Sequence, residues 1–411
     1  METQSTGGLG PRVEKPAHIP QSRVVDWDMY NPPGIEEGLY ESWMRLQLPN
    51  VPDIVWTPCN GGHWIATRGK WIAEMFKDYE HFSSKCIWLP KEAGEQYTFI
   101  PTSMDPPEQT SYRQLINSAI GLRIVKTIED SIRERARSLI DGFYAAGQCN
   151  FTSEYAEPFP IGVFLAMVNL PMADAPRLKS IADQITRPDG SISMAEASEK
   201  FFEYLRPWIA ERRGNSGGDA ISQIVNGDFQ GRKLNDYEAE RVCGLLLLAG
   251  LDTVVNFISF AMLFLAQNAE HRRKLAADSS LIPGAVEELF RRLPLVADGR
   301  LITQDIECDG VTLKAGEMIL LPTMLHGLDE RENECPMHVD FSRKRIAHSF
   351  FGGGPHRCAG LHVARAEVTI TLEEWLKRIP EFETAPSYRP RYHSGVVSSL
   401  EALPLRWKSH S

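Results

Sequence analysis

Cys358 lies in the stretch FFGGGPHRCAG, Phe350 to Gly360, with glycines at 352, 353, 354 and 360 around it. A structural thiol needs no such clearance. A thiol that grips a large flat ligand does, because glycines turn the main chain sharply and let a ligand approach it closely. The pattern after the cysteine predicts a helix, so N–H groups of a helix terminus point near the sulfur and favour the thiolate. A thiolate held by backbone N–H groups beneath a flat ligand is the arrangement of a haem axial ligand. Taken alone, the loop also reads as an ordinary glycine-rich turn around a buried thiol.

Two further groupings carry chemistry. Glu288 and Arg291, in EELFR, are three apart and share one helical face. Most such pairs are surface ion pairs worth little. In AGLDTVVNF, Ala249 to Phe257, an acid and an alcohol follow a pair of small residues in the most apolar helical stretch of the chain. Burying Asp252 there is costly unless something pairs with it or uses it. The small residues leave room for a ligand, and Thr253 can bond back to a carbonyl and widen a local opening of the helix. A kinked core helix with a satisfied Asp–Thr pair fits the same residues, but it leaves the glycine loop unexplained.

These groups need elements to hold them. A capping box at Asn235 and Glu238 opens a helix whose apolar residues continue to about Ala266. A helix so apolar all round belongs in the middle of the molecule, and GLDT interrupts it too strongly for a membrane span. Helical periodicity also covers roughly 36–48, 69–77, 108–120, 125–146, 155–169, 172–186 and 193–213. A shorter helix starts near Pro283 and ends at about Arg292, and a last long one runs from Leu361 to Arg378. Strand-prone segments fall near 54–57, 63–67, 296–303, 307–313 and 318–321. Residues 83–107 read as one long irregular loop, of the kind that often carries function. The expectation is a mainly α fold with a small β portion.

Composition narrows the class. The hydrophobic fraction of 43% is ample for a large core, and no linker, charge block or repeat divides the 411 residues. One domain over 1–411 is expected, with a polar, flexible N-terminus of about 20 residues. That N-terminus has no apolar run, so neither a secretory signal nor a membrane anchor is expected. A net charge of −10 argues against nucleic-acid binding. Seven scattered cysteines with no CxxC pair argue against zinc and disulfides and fit a reducing cytoplasm. One basic cluster, SRKR at Ser342 to Arg345, reads either as a solvated turn or as a docking spot for an acidic partner.

Three motifs now stand in order: Ala249-Gly250-x-Asp252-Thr253, Glu288-x-x-Arg291 and Phe351-x-x-Gly354-x-x-x-Cys358-x-Gly360. Their order and spacing resemble those of the cytochrome P-450 family, and the likeness extends over essentially the whole chain. Within the family, YTFIPTSMDPPEQ (97–109), GLDTVVNF (250–257), LEEWLKRIPEF (372–382) and HSGVVSSLEALPL (393–405) look most like the bacterial camphor monooxygenases. The resemblance implies a single-domain fold with haem b between the long central helix and the cysteine loop with its following helix. Cys358 is then the proximal thiolate, which favours O–O cleavage. By the same likeness Asp252 and Thr253 deliver protons to bound dioxygen, and Glu288 and Arg291 are structural. Arg113, Arg300 and His356 match positions that hold haem propionates. Tyr97 matches a residue that orients a ketone oxygen, although a loop tyrosine that merely packs is the bland alternative. Trp88, Phe99, Thr102, Leu245, Leu248, Val296, Asp298 and Val397 match positions around substrate or haem, with Asp298 expected beside a propionate.

Departures from that pattern concern the substrate. Trp88 and Leu248 look bulkier than the camphor enzymes' residues, Ala249 replaces a glycine, and Gly353, Pro355, Arg357 and Ala359 alter the ligand loop without changing its spacing. Lys85 stands where those enzymes have an acidic, cation-holding loop, and a lysine there could supply the charge internally. The expected function is hydroxylation of an unactivated C–H bond of a camphor-like terpenoid ketone, by a monomer. Electrons are expected from NAD(P)H through a flavin reductase and an acidic [2Fe-2S] ferredoxin. Arg113, Arg343, Lys344 and Arg345 are the expected docking cations. The alternatives are a peroxide-driven haem peroxygenase and a non-catalytic haem sensor. The acid–alcohol pair disfavours both.

Overall fold

The computed structural model describes residues 10–96, 98–215 and 217–408. Tyr97 lies outside the described residues. The fold is mainly α with a minor β portion, built on one continuous hydrophobic core that includes Trp43, Trp64, Phe257, Phe290 and Trp375.

The central helix forms where the capping box predicts it. Glu238 N donates to Asn235 Oδ1 at 2.9 Å and Asn235 N donates to Glu238 Oε2 at 2.8 Å, opening the helix Asp236–Gly250. Such a cap contributes about 1 kcal/mol. The helix does not run unbroken to Ala266, however. It stops at Gly250, and a second segment, Thr253–Gln267, continues after Leu251 and Asp252. Together Asp236–Gln267 is apolar and long enough to cross a membrane by length and composition, but 72% of its apolar stretch is buried inside the protein.

Gly250, the last residue of the first segment, has no room for a side chain. A side chain there would collide with the Phe164 ring, whose carbons come within 2.3–2.6 Å of the required Cβ position. The helix Pro158–Met167 therefore packs directly onto backbone at this point. The helix Leu361–Arg378 buries Ala364, Val368, Leu372 and Trp375 along one face, as residues three and four apart must.

The larger sheet has five strands in the order 54–57, 63–66, 318–322, 297–302, 82–83. Its strand Ala297–Ile302 pairs antiparallel with Met318–Pro322, Asp298 facing Leu321 and Arg300 facing Ile319. Side chains alternate across a strand, so Val296, Asp298 and Arg300 share one side of the chain, and all three border the same cavity.

Some local expectations change. Residues 83–107 contain a helix, Lys91–Gln96, and 307–313 is a hairpin of Ile306–Cys308 and Val311–Leu313. Asp309 and Gly310, both at positive φ, turn that hairpin, the sequence pair that tight hairpin turns favour. Helices Ala220–Asn226 and Ala269–Ala277 also form.

Candidate active site and cofactor cradle

A cavity of about 310 Å³ lies between the two central helix segments on one side and the cysteine loop with the Leu361–Arg378 helix on the other. The loop is shaped by backbone contacts. Cys358 N donates to the Phe351 carbonyl at 2.8 Å, and Gly352 N donates to Ser349 at 2.8 Å. Gly352 and Gly354 sit at φ +66° and +58°, conformations that side chains resist. Cys358 opens onto the cavity inside the protein, whose wall it forms together with Phe351 and Gly360. Burial pushes its thiol pKa up, while the Gly360 N–H and the Arg113 charge pull it back toward the thiolate.

Gly354 has a different role from the one expected of a ligand-contacting glycine. It is absent from the cavity wall. A Cβ there would lie 2.5 Å from the Phe76 carbonyl oxygen and 2.9 Å from Lys77 Cα. Its bareness lets the cysteine loop lie against the end of the helix Gly69–Met75, and so aims Cys358 from behind.

Arg113, Arg300 and His356 border the cavity, and among the described residues none of the three is in an ion pair. Arg300 is 4% exposed, donates to its neighbour's Gly299 carbonyl at 2.7 Å, and stacks 5.0 Å over Phe76. Burial pulls its pKa down against the opposing charge of Asp298. Arg113 Nε donates to Asn117 at 3.0 Å and its Nη2 to the Arg357 carbonyl. His356 Nε2 is buried with no hydrogen-bond partner, and burial with the nearby Arg300 charge lowers its pKa to about 4. A buried Arg300, a half-buried Arg113 and an orphaned imidazole nitrogen call for carboxylates supplied from outside the chain. A dianionic porphyrin side, two propionates on a flat ring above a thiolate, fits this donor set. Asp298 stands on the same wall, with its pKa raised by burial against the Arg300 charge.

On the distal side, Thr253 borders the cavity with Ala249, Gly250 and Val254. Asp252 does not. It is 2% exposed and is held by Arg187 Nη1 and Nη2, each at 2.7 Å, by Lys179 at 3.1 Å and by Asn256 Nδ2 at 2.8 Å. Burial alone would raise its pKa. Arg187 and Lys179 reverse that and hold the carboxyl well below the usual range. The helix opening is tied by Asn256, which also donates to the Asp252 carbonyl at 2.9 Å; this replaces the expected back-bond from Thr253. Sequence reasoning missed Lys179 and Arg187. Their i,i+4 spacing around Asp183 reads as a surface ion pair, and nothing local points to Asp252.

Of the expected substrate positions, Thr102, Leu245 and Val296 border the cavity. Trp88, Phe99, Leu248 and Val397 are buried but stand behind that wall. Phe99 packs on Phe202 with ring centres 5.8 Å apart, and Val397 bridges to Val296 through the backbone. Ile87, Phe164, Met167 and Leu246 line the cavity instead, with no sequence signal that singled them out. Lys85 is exposed.

Glu288 and Arg291 are fully buried. Arg291 donates to both Glu288 oxygens at 2.7 and 2.8 Å and to the carbonyls of Gly327, Pro336 and His338. Arg343 Nε joins them at 3.1 Å from both carboxylate oxygens. The expectation that Arg343 belongs to a docking surface is therefore corrected: it is 13% exposed and spent on a buried acid. Lys344 is exposed, as is Arg345, 81% accessible and 3.2 Å from Glu332.

Comparison with known proteins agrees with this geometry. Residues 192–391 match the family model described as "Cytochrome P450". The chain is 31% identical over 400 residues to a "Probable cytochrome P450 127A1" of Sinorhizobium fredii, covering 95% of this chain and 96% of that protein. It is similar to the crystal structure of CYP101J2, with 42% identity and a TM-score of 0.89, covering 96% of this chain and 100% of that one. The crystal structure of CYP101C1 gives 38% identity, the same TM-score and the same coverage.

Proposed function

Since this chain belongs to the cytochrome P450 family, and is therefore a haem-thiolate monooxygenase that carries haem b, we propose that it hydroxylates an unactivated C–H bond of a small, apolar, camphor-like terpenoid ketone. The observation that carries the proposal is the cavity. Its distal wall is dominated by Ile87, Leu245, Leu246, Val254, Val296 and Phe164, and polar groups there are few. Such a pocket selects by shape and leaves orientation to one or two polar contacts. Thr102 and Tyr97 are the proposed contacts for the ketone oxygen.

The haem supplies dioxygen binding and its reductive cleavage. The balance is substrate C–H plus dioxygen, two electrons and two protons, giving the alcohol and water. The chain's residues move the protons. Thr253 presents its hydroxyl to the cavity, and Asp252 behind it is an anion, so it acts as a relay that must first be protonated. Arg113, Arg300 and His356 fix the porphyrin's carboxylates, and the Gly360 N–H steadies the sulfur.

Electrons come from an acidic [2Fe-2S] ferredoxin with its flavin reductase, docking where Lys344 and Arg345 are exposed. Incubation with NADH, such a ferredoxin and reductase, camphor and labelled dioxygen tests the proposal. One labelled oxygen in the product, with an absolute need for ferredoxin, is the expected result. Full product formation from hydrogen peroxide without any electron donor overturns it in favour of a peroxygenase.

A further inference from the structure

Arg135, on the helix Leu122–Tyr144, is a cation without an acid. Its Nε and Nη2 donate to the Pro158 carbonyl at 3.1 and 3.0 Å, and Nη2 also donates to the Met172 sulfur at 3.4 Å. Among the described residues no carboxylate pairs with it, and burial lowers its pKa. The space it fills is kept bare, since a Cβ on Gly162 would fall 1.8–2.1 Å from the guanidinium. One carbonyl and a thioether, which is a weak acceptor, leave this half-buried charge under-satisfied.

Met172 is also placed to react. It is 40% exposed and is the only exposed methionine among the described residues. It opens the turn Met172–Asp174, which leads directly into the helix Ala175–Thr186. That helix reaches the centre of the molecule through Lys179, 3.1 Å from Asp252. Asp174 accepts from the Tyr204 hydroxyl at 2.8 Å, joining the turn to the helix Met194–Arg212. Phe202 of this second helix packs on Phe99 and against Gly244 of the central helix, next to Leu245 of the cavity wall. The contact between Arg135 and Met172 therefore anchors two helices that rest on the distal elements of the cavity.

We propose that Met172 is a redox-modification site whose sulfoxide ties the start of the helix Ala175–Thr186 to Arg135 and slows substrate exchange. The oxidant is hydrogen peroxide, formed when two electrons and two protons reach dioxygen and no substrate is hydroxylated; in this the proposal rests on the monooxygenase reading. The thioether sulfur gives an electron pair to one peroxide oxygen, the O–O bond breaks, and the products are methionine sulfoxide and water. The sulfoxide is polar and is reversed by thiol-dependent reductases. Its oxygen accepts from Arg135 a charge-assisted hydrogen bond of a strength that the sulfur does not provide.

The test is brief treatment of the ferric holoprotein with hydrogen peroxide, stopped with catalase while the Soret band is intact. Peptide mass spectrometry should find Met172 oxidised before any other methionine. In the oxidised protein, amide hydrogen exchange over residues 173–178 should slow about fivefold, the scale of one added hydrogen bond, and the camphor-induced spin shift should slow with it. Met172→Leu should show neither change after peroxide. Arg135→Leu should be oxidised at Met172 as readily but show no slowing. Oxidation that falls first on half-buried methionines such as Met167, or an oxidised protein that exchanges like the untreated one, overturns the site. Slowing that persists in Arg135→Leu overturns the role of the guanidinium. Wild-type protein that makes neither oxygenated product nor peroxide with reduced ferredoxin overturns the monooxygenase reading instead.

Discussion

The carboxylate of Asp252 meets Arg187 twice at 2.7 Å and Lys179 once at 3.1 Å, in a site that is 2% exposed. Its folded pKa lies below its unfolded value, so its contribution to stability is fully present above the unfolded pKa and is lost progressively as pH falls from there down through the folded pKa. Removing the charge strands two buried cations, which typically costs about 3–5 kcal/mol; Asp183 remains beside both, so the lower end applies. Asp252→Asn should therefore lower urea stability by about 3 kcal/mol at neutral pH, and the gap to wild type should begin to narrow only below about pH 4. A gap that is the same at pH 7 and in acid would show that the ion pairs are not what Asp252 contributes. Sequence could mark Asp252 as an acid in an apolar helix. It could not name its partners, because Lys179 and Arg187 are more than sixty residues away and are brought there only by helix packing.

Among the elements, the cysteine loop depends on what stands behind it. Gly354 combines φ +58° with a Cβ position 2.5 Å from the Phe76 carbonyl. Gly354→Ala must strain its own backbone and push the loop away from residues 76–77, at a cost of roughly 1–3 kcal/mol for the dihedral alone. The expected outcome is faster loss of haem to apomyoglobin and partial loss of the thiolate-type spectrum, with the far-UV circular dichroism kept. Haem retention equal to wild type would mean that the loop tolerates the shift. Elements with strong local signals were legible: the capped start at Asp236, the final helix Leu361–Arg378 and the Pro-opened helix Ile282–Arg292 form at or within a residue of expectation. The helix Lys91–Gln96 was hidden inside a stretch rich in proline and glycine, and the need for a bare residue at Gly250 comes from Phe164, a residue on another helix.

For the whole molecule, neighbouring cations in one short basic run have opposite fates. Arg343 is bound to the fully buried Glu288, while Arg345 is 81% exposed. Arg343→Ala should lower the thermal midpoint by several degrees, since it removes a partner from a buried network, and leave the ferredoxin KM of the folded fraction unchanged. Arg345→Glu should do the reverse: no change in thermal midpoint, and a raised ferredoxin KM whose difference from wild type shrinks with salt. Equal effects of the two substitutions on both quantities would dissolve the distinction. Composition and spacing could identify the cluster and the family-like motifs. Deciding which cation faces solvent required the tertiary fold, because burial is a property of what packs against a residue.

The substrate proposal is tested most directly by titrating the ferric holoprotein with camphor while following the Soret band. The apolar wall of Ile87, Leu245, Leu246 and Val296 predicts a saturable low-spin to high-spin shift of the Soret band as the ketone binds. A protein that keeps its thiolate-type carbon monoxide spectrum but shows no shift with camphor or with other terpenoid ketones of its size would contradict the account.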